Sequence, residues 1–213
     1  MSAAPKLTPS TLAALLCARI CHDLVSPVGA LGTAIEILDD ESNADMHADA
    51  LDLVKSSSRR ASAKLKYLRL AFGAAGSAPG VLATAELQAL AADMFADAKP
   101  ELDFAFHADG LDKSQARLLL NLLMLGVQAV PRGGQVRVVT EPDALKIIAT
   151  GPRARLDEGM ARALSGRAPE NGFDGRTIQP FYAGMMAREQ GGSCQSAIDG
   201  ETVTFRADFA PPA

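Results

Sequence analysis

His22 and Asp23 stand side by side in the stretch ICHDLVSPVGAL (residues 20–31), with a Ser26-Pro27 pair shortly after them. An imidazole next to a carboxylate can work as a nucleophile or in proton transfer, the acid orienting the ring or accepting its proton. Two ordinary readings compete: a satisfied core histidine and an idle surface one. Periodicity removes the first. Leu12, Leu16, Ile20, Leu24, Leu31, Ile35 and Leu38 recur at helical spacing. At about 100° per residue they cluster within about ±80° of Ile20, whereas His22 falls about 200° away. Pro27 weighs against the second. A proline inside a helix removes one hydrogen bond and clashes with the carbonyl four residues back, at a cost of about 3 kcal/mol. That carbonyl belongs to Asp23. A costly residue beside an outward histidine is the kind of local rule-breaking that functional sites show.

Other reactive side chains have plainer explanations. Cys17 and Cys21 share a helix face, and His22 is near enough to suggest a metal. A closed metal site needs about four ligands, so the pair reads as small core hydrophobes and no metal is expected. His47 opens a second helix and reads as a surface residue. His107 follows a strand on the face opposite its phenylalanines and has no assigned role. Met185 and Met186 fit a helix packed on a sheet.

These residues must be held by something. Thr8 is a good N-cap and Pro9 a good first helical residue, so a first helix is expected to run to about residue 40, roughly 45–50 Å at 1.5 Å per residue. DDESNAD is an acidic turn. Ala50, Val54, Ala61, Leu65, Leu68 and Phe72 then give the three-four spacing of a bundle seam. Two long helices joined by a short turn form an antiparallel hairpin, which has one seam and leaves its outer apolar edges uncovered. Pairing with a second copy gives a four-helix bundle, so a homodimer is expected. GAAGSAPG (residues 73–80) reads as a linker. Beyond it the pattern mixes helices (about 84–98, 113–130, 155–165 and 178–190) with the strands LDFAFHA, QVRVVT and LKIIAT. A closing hairpin turns at Asp199-Gly200. The fold class is α+β: a helical hairpin (residues 1–74) followed by an α/β two-layer sandwich (residues 80–213).

The totals set bounds. The chain has 213 residues, 48% hydrophobic and 22% charged, with no tryptophan and a formal net charge of −4. An acidic balance disfavours nucleic acid, which wants a basic footprint. No apolar run is read as a membrane span, and the N-terminal LAALLCA is read as helix rather than leader. Three cysteines without a CxxC fit a reducing cytoplasm.

HDLVSP resembles the phosphoacceptor box of sensor histidine kinases, His-(Asp/Glu)-x-x-(Ser/Thr)-Pro, on the first helix of a dimeric helical hairpin. The second half is similar to the ATP-binding domain of the same family, but with its chemistry eroded. LLLNLLMLGVQAVPRGGQVRV keeps Asn121, Pro131, Gly133 and Gly134. Leu125 stands where the family has its Mg²⁺-binding asparagine, and leucine offers no oxygen to a hard cation. In IIATGPRAR, Gly151 and Pro152 match, but Ala149 replaces the adenine-reading aspartate and Arg153 a glycine. Counting back from Gly191-Gly192, Thr177 and Gln179 replace two glycines of the phosphate loop. DGETVTFRADFAP is similar to the final hairpin.

A histidine box without an ATP site resembles the dimeric histidine phosphotransferases. That resemblance implies that His22 takes a phosphoryl group from a receiver-domain aspartate of a hybrid kinase and passes it to response regulators. Asp23 would orient or deprotonate the imidazole. No cofactor would be bound by this chain, and Mg²⁺ would sit on the partner receiver. With a turn near residue 42, antiparallel packing puts residue 62 about level with His22. The surface expected to meet the partner is Arg19, Ser26, Pro27, Arg59, Arg60, Ser62, Ala63 and Lys64: small residues for close approach, cations for an acidic receiver. An ordinary solvated basic face is the competing reading. At the level of the whole chain, the alternatives are an ATP-dependent kinase with divergent boxes and a non-enzymatic adaptor that binds receivers.

Overall fold

The computed structural model describes residues 7–73 and 80–209, so most of the expected linker lies outside the described residues. The first helix, α1 (Pro9–Asp39), starts where the sequence says it should: the Thr8 side chain accepts the Thr11 N–H and Pro9 opens the helix. A 3₁₀ turn, Glu41–Met46, is capped by Asp40, whose carboxylate accepts from Ser42 and Asn43. The second helix, α2 (His47–Phe72), returns along α1. His47 is half-buried at its start, with Nε2 3.4 Å from the Asp40 carbonyl.

The inner edge of α1, including Leu16, Ile20, Leu24, Pro27, Leu31, Ala34 and Leu38, is buried or half-buried. Several residues assigned to the hairpin seam or core turn outward instead. Ile35 and Leu65 are 51% and 55% exposed, and Cys17 and Cys21 are exposed rather than core. Cys17, Cys21 and Ile35 make, with Val25 and Val28, an apolar stripe on α1 distinct from the seam, and Leu65 is exposed on α2. The expectation of no span-length apolar run also needs correcting: α1 is long and apolar enough to cross a membrane by length and composition, with a window of mean hydropathy 1.4.

The remaining elements are β1 (Val81–Ala83), α3 (Thr84–Met94), β2 (Pro100–Ala105), β3 (Gly110–Asp112), α4 (Lys113–Ala129), β4 (Gly134–Glu141), β5 (Ala144–Thr150), α5 (Glu158–Leu164), α6 (Ile178–Glu189), β6 (Ser193–Asp199) and β7 (Thr202–Asp208). The main sheet has the order β2-β4-β5-β7-β6. It is mixed: β2 and β4 run parallel, bridged by the α4 crossover, and the other pairs are antiparallel. β1 and β3 form a separate two-stranded ribbon, which the sequence pattern did not disclose because strands of three residues carry no period. Along β4, β5 and β7 the buried positions alternate, with Val136, Val138, Ile147, Ala149, Val203, Phe205 and Ala207 on the helix-covered face. Leu118 to Gly126 of α4 are buried without a break. A helix that is apolar all round must be covered all round; here the sheet lies on one side and α2 and α6 on the others. Met186 is buried in α6.

The last turns of α2 enter this core. Tyr67, Leu68 and Ala71 are fully buried in the same cluster as α4 and the sheet. The Tyr67 hydroxyl donates to the Leu120 carbonyl at 2.8 Å and its ring meets Phe95 edge-on at 5.5 Å. Burial raises the Tyr67 phenol well above the ordinary tyrosine value, which keeps it a donor. Asn121 Nδ2 donates to the Ala71 carbonyl at 2.9 Å. The last carbonyls of a helix lack partners within it, so Asn121 caps α2 from a different helix.

Candidate functional site

His22 points outward with its side chain 81% exposed, as the helical wheel requires. Its Nδ1 lies 3.2 Å from Asp23 Oδ1. The Asp23 carboxylate is only 13% exposed, and its other oxygen accepts from Arg19 Nε at 3.2 Å. A charged carboxylate held in this way is the natural acceptor for an Nδ1–H. The arrangement therefore favours the tautomer with its proton on Nδ1 and its lone pair on the outward Nε2.

Pro27 leaves the Asp23 carbonyl without its helical partner, and the structure shows what replaces it. Lys64 Nζ, from the facing turn of α2, donates to that oxygen at 2.9 Å. Three groups thus converge on Asp23: Arg19 and His22 on the carboxylate, Lys64 on the backbone. Asp23 meets residue 64, a few residues from the level expected from a turn near residue 42, because the 3₁₀ turn lengthens the connection.

Beside this cluster lies a cleft of about 740 Å³. One wall is the hairpin, with Ser26, Pro27, Arg59, Arg60, Ser62, Ala63 and Lys64; the other is the end of α3 and the turn after it, with Asp93, Met94 and Asp97. The structure therefore gathers seven of the eight residues expected to meet a partner. Arg19 is the exception: it is 14% exposed and committed to Asp23. Arg60 is also engaged, its Nε 2.5 Å from Asp97. Asp93 and Asp97 were missed in the sequence because only the tertiary fold brings α3 to the hairpin. Ser57, fully buried and also lining the cleft, was missed as well.

The eroded boxes of the second half have structural occupations. Leu125 and Ala149 are fully buried apolar side chains. Gln179 is buried and donates to the Asn121 backbone carbonyl at 2.8 Å, with Asn121 Oδ1 at 3.4 Å. Thr177 is bound to Asp174, its hydroxyl 2.7 Å from the carboxylate. The surviving glycines are needed by the backbone. A Cβ on Gly134 would lie 2.2 Å from the Thr150 carbonyl oxygen, and one on Gly151 would lie 2.2 Å from that of Gly133. Arg153, standing for a glycine in the resemblance, has φ +58°. His107, just past β2, is taken up by Thr140, whose Oγ1 lies 3.0 Å from both its backbone N and Nδ1. Among the described residues no three His, Cys, Asp or Glu side chains gather at metal-binding spacing.

The site is thus an exposed histidine on a helical hairpin that is joined to a mixed α/β layer. A family model described as histidine phosphotransferase C-terminal domain matches residues 84–202, and the chain belongs to that family. Over 98% of its length it is 39% identical to protein phosphotransferase ChpT of Brucella abortus (strain 2308), covering all of that protein. A solved bacterial phosphotransferase aligns over 97% of this chain and 100% of its own, at 36% identity and a TM-score of 0.84. The histidine kinase AdeS of Acinetobacter baumannii aligns over 89% of this chain and 97% of its own, at 14% identity and a TM-score of 0.46. The protein is a phosphotransferase of the phosphorelay kind, with response regulators as its class of partner.

Proposed function

We propose that His22 is the residue that carries the phosphoryl group between receiver domains. The observation that carries this reading is the outward Nε2 of His22, left free by the Nδ1–Asp23 contact, on a hairpin of a chain that belongs to the phosphotransferase family. The Nε2 lone pair attacks the phosphorus of a receiver's aspartyl phosphate. The P–O bond to the aspartate breaks, the carboxylate stays on the donor, and the Nδ1 proton remains shared with Asp23. The reverse step delivers the group to an acceptor aspartate. Phosphoryl transfer asks mainly for in-line positioning and charge neutralisation. Mg²⁺ belongs to the receiver on this reading. The donor is the receiver of a hybrid kinase and the acceptors are response regulators, both seated in the cleft whose hairpin wall presents Arg59, Ser62 and Ala63.

This chain works without nucleotide. The Leu125 and Ala149 side chains have no oxygen or nitrogen to hold Mg²⁺ or read adenine, and Gln179 is engaged by Asn121, which weighs against the ATP-dependent alternative. We also infer a homodimer in the cytoplasm. Val25, Val28 and Ile35 are 51–67% exposed along one stripe of α1, and Leu51 and Leu65 are 48% and 55% exposed on α2. On the wheel the α1 stripe is centred about 100° from His22, so a second copy can cover it and leave the imidazole open. A bilayer is a poor cover, because Arg59, Arg60, Lys64 and Lys66 ride on the helix packed against α1 and charges in lipid are expensive. The hairpin (1–74) serves dimerisation and transfer, and the remainder (80–213) is a degenerate ATPase-like unit that walls the cleft.

The test is transfer of label from a phosphorylated receiver. The wild-type chain takes it up, and His22→Ala fails to accept or relay it. Relay that persists in His22→Ala would sink the proposal.

A further inference from the structure

We infer that Lys64 is a positioning residue for phosphotransfer, holding the imidazole through the Asp23 backbone rather than meeting the partner; this rests on the reading of His22 as phosphoacceptor. Pro27 interrupts the hydrogen-bond ladder of α1. Pro27 has no N–H, so the Asp23 carbonyl has no helical donor, and an unpaired carbonyl in a partly buried place is costly. Lys64 Nζ fills the position at 2.9 Å from across the hairpin. The two cations nearest in the cluster are spoken for: Arg19 is on Asp23 Oδ2 and Arg60 is on Asp97.

The carbonyl and the carboxylate belong to one residue, so fixing the first sets the point from which the second swings, and Arg19 holds its other end. With Lys64 in place, the turn around Asp23 is pinned to α2, and Oδ1 stays within reach of His22 Nδ1 at 3.2 Å. Without it the turn is held only by Arg19 on the carboxylate and loosens, and the exposed ring, which has no other partner among the described residues, follows. The proline and the lysine thus form one device. Pro27 removes the intrahelical bond, and Lys64 replaces it with a bond to the neighbouring helix, so the attacking histidine is held by the hairpin as a whole. A lysine here would otherwise be read as a docking cation for an acidic receiver, and the two roles predict different couplings.

A double-mutant cycle in the full-length protein separates them. In Lys64→Met, the transfer rate at saturating phosphorylated receiver falls about tenfold, the rate equivalent of one charge-assisted hydrogen bond, while KM changes less than about twofold. In a Pro27→Ala background, residue 27 again has an N–H for the Asp23 carbonyl, so adding Lys64→Met lowers the rate less than about twofold further. Lys64→Arg, which keeps a donor, stays within about threefold of wild type. Equal losses in both backgrounds, or a loss carried by KM, would assign Lys64 to partner docking and overturn the inference. So would no loss in either.

A second readout needs no phosphoryl donor. The ¹⁵N shifts of the His22 ring report the Nδ1–H tautomer in wild type and a mixture in Lys64→Met, restored in Pro27→Ala/Lys64→Met. Unchanged shifts in Lys64→Met would overturn the positioning role even if His22 proves to be the phosphoacceptor. If label enters the chain somewhere other than His22, the reading beneath the inference fails, and the inference falls with it.

Discussion

At the scale of single residues, the site is a set of commitments around one aspartate. Asp23 spends one oxygen on Arg19, offers the other to His22, and gives its carbonyl to Lys64. Much of this was legible. The wheel places His22 outward, and Pro27 alone marks the Asp23 carbonyl as lacking its helical donor. What filled the vacancy was not legible, because Lys64 is 41 residues away in sequence. Nor was the exposure of Cys17 and Cys21: helical spacing says that two residues share a face but not what covers that face. Arg153 records the history of the second half in a single torsion. It keeps φ +58° where the resembling pattern has glycine, and a non-glycine residue in that region is strained by about 1–2 kcal/mol. Arg153→Gly is expected to change stability by no more than about 1 kcal/mol in either direction, since relief of strain is offset by the entropy of a freer unfolded chain. Arg153→Val is expected to cost more than about 1 kcal/mol, because β-branching makes this region worse. Urea denaturation of the two variants reads the difference.

At the scale of elements, the joint between α2 and α4 decides how the hairpin is presented. Tyr67 binds the Leu120 carbonyl, Asn121 caps the Ala71 carbonyl, and Gln179 binds the Asn121 carbonyl. Three helices are tied by polar bonds in a buried place, where such bonds fix geometry if every member is satisfied. Asn121 therefore has a task in the fold that does not require nucleotide. Asn121→Ala is expected to destabilise the protein by about 2–3 kcal/mol, since it leaves a helix-terminal carbonyl buried and unpaired. A urea midpoint unchanged in Asn121→Ala would show instead that the side chain is an idle remnant. The long elements were readable in advance: α1 ends at Asp39 against an expected end near 40, and α4 and α6 agree to within a residue. The misses have physical causes. α3 stops at Met94 because the residues beyond it turn toward Asp97 and the cleft. The β2–β4 pairing is parallel across α4, and pairing direction is not written in a strand's own pattern.

At the scale of the whole molecule, the apolar stripe on α1 and the charge on α2 point to a partner for the hairpin. Val28→Glu puts a charge in the centre of the stripe and is expected to convert a sedimenting dimer into a monomer of 22.2 kDa. Thiol chemistry checks which face is covered. Cys17 and Cys21 lie on the stripe; if the proposed dimer covers it, they are expected to be shielded in the wild-type protein and readily alkylated in Val28→Glu. Cys194 is unreactive in both, since burial pushes its thiol up to about 12 and only the thiolate is a nucleophile. Equal alkylation of Cys17 and Cys21 in the two proteins would place the interface elsewhere. On the proposed reading the labour divides: a paired hairpin bears the phosphoacceptor histidine, and the second layer fixes the hairpin's end through Tyr67 and Asn121 and closes one side of the cleft.

On the proposed mechanism this histidine is charged by a protein and not by ATP. The direct measurement is peptide mapping of label after two parallel incubations of the wild-type chain, one with a phosphorylated receiver domain and Mg²⁺, the other with γ-labelled ATP and Mg²⁺. Acid-labile label is expected on the peptide containing His22 in the first incubation and none in the second. Label on His22 from ATP alone, or label from the receiver on any other residue, would contradict it.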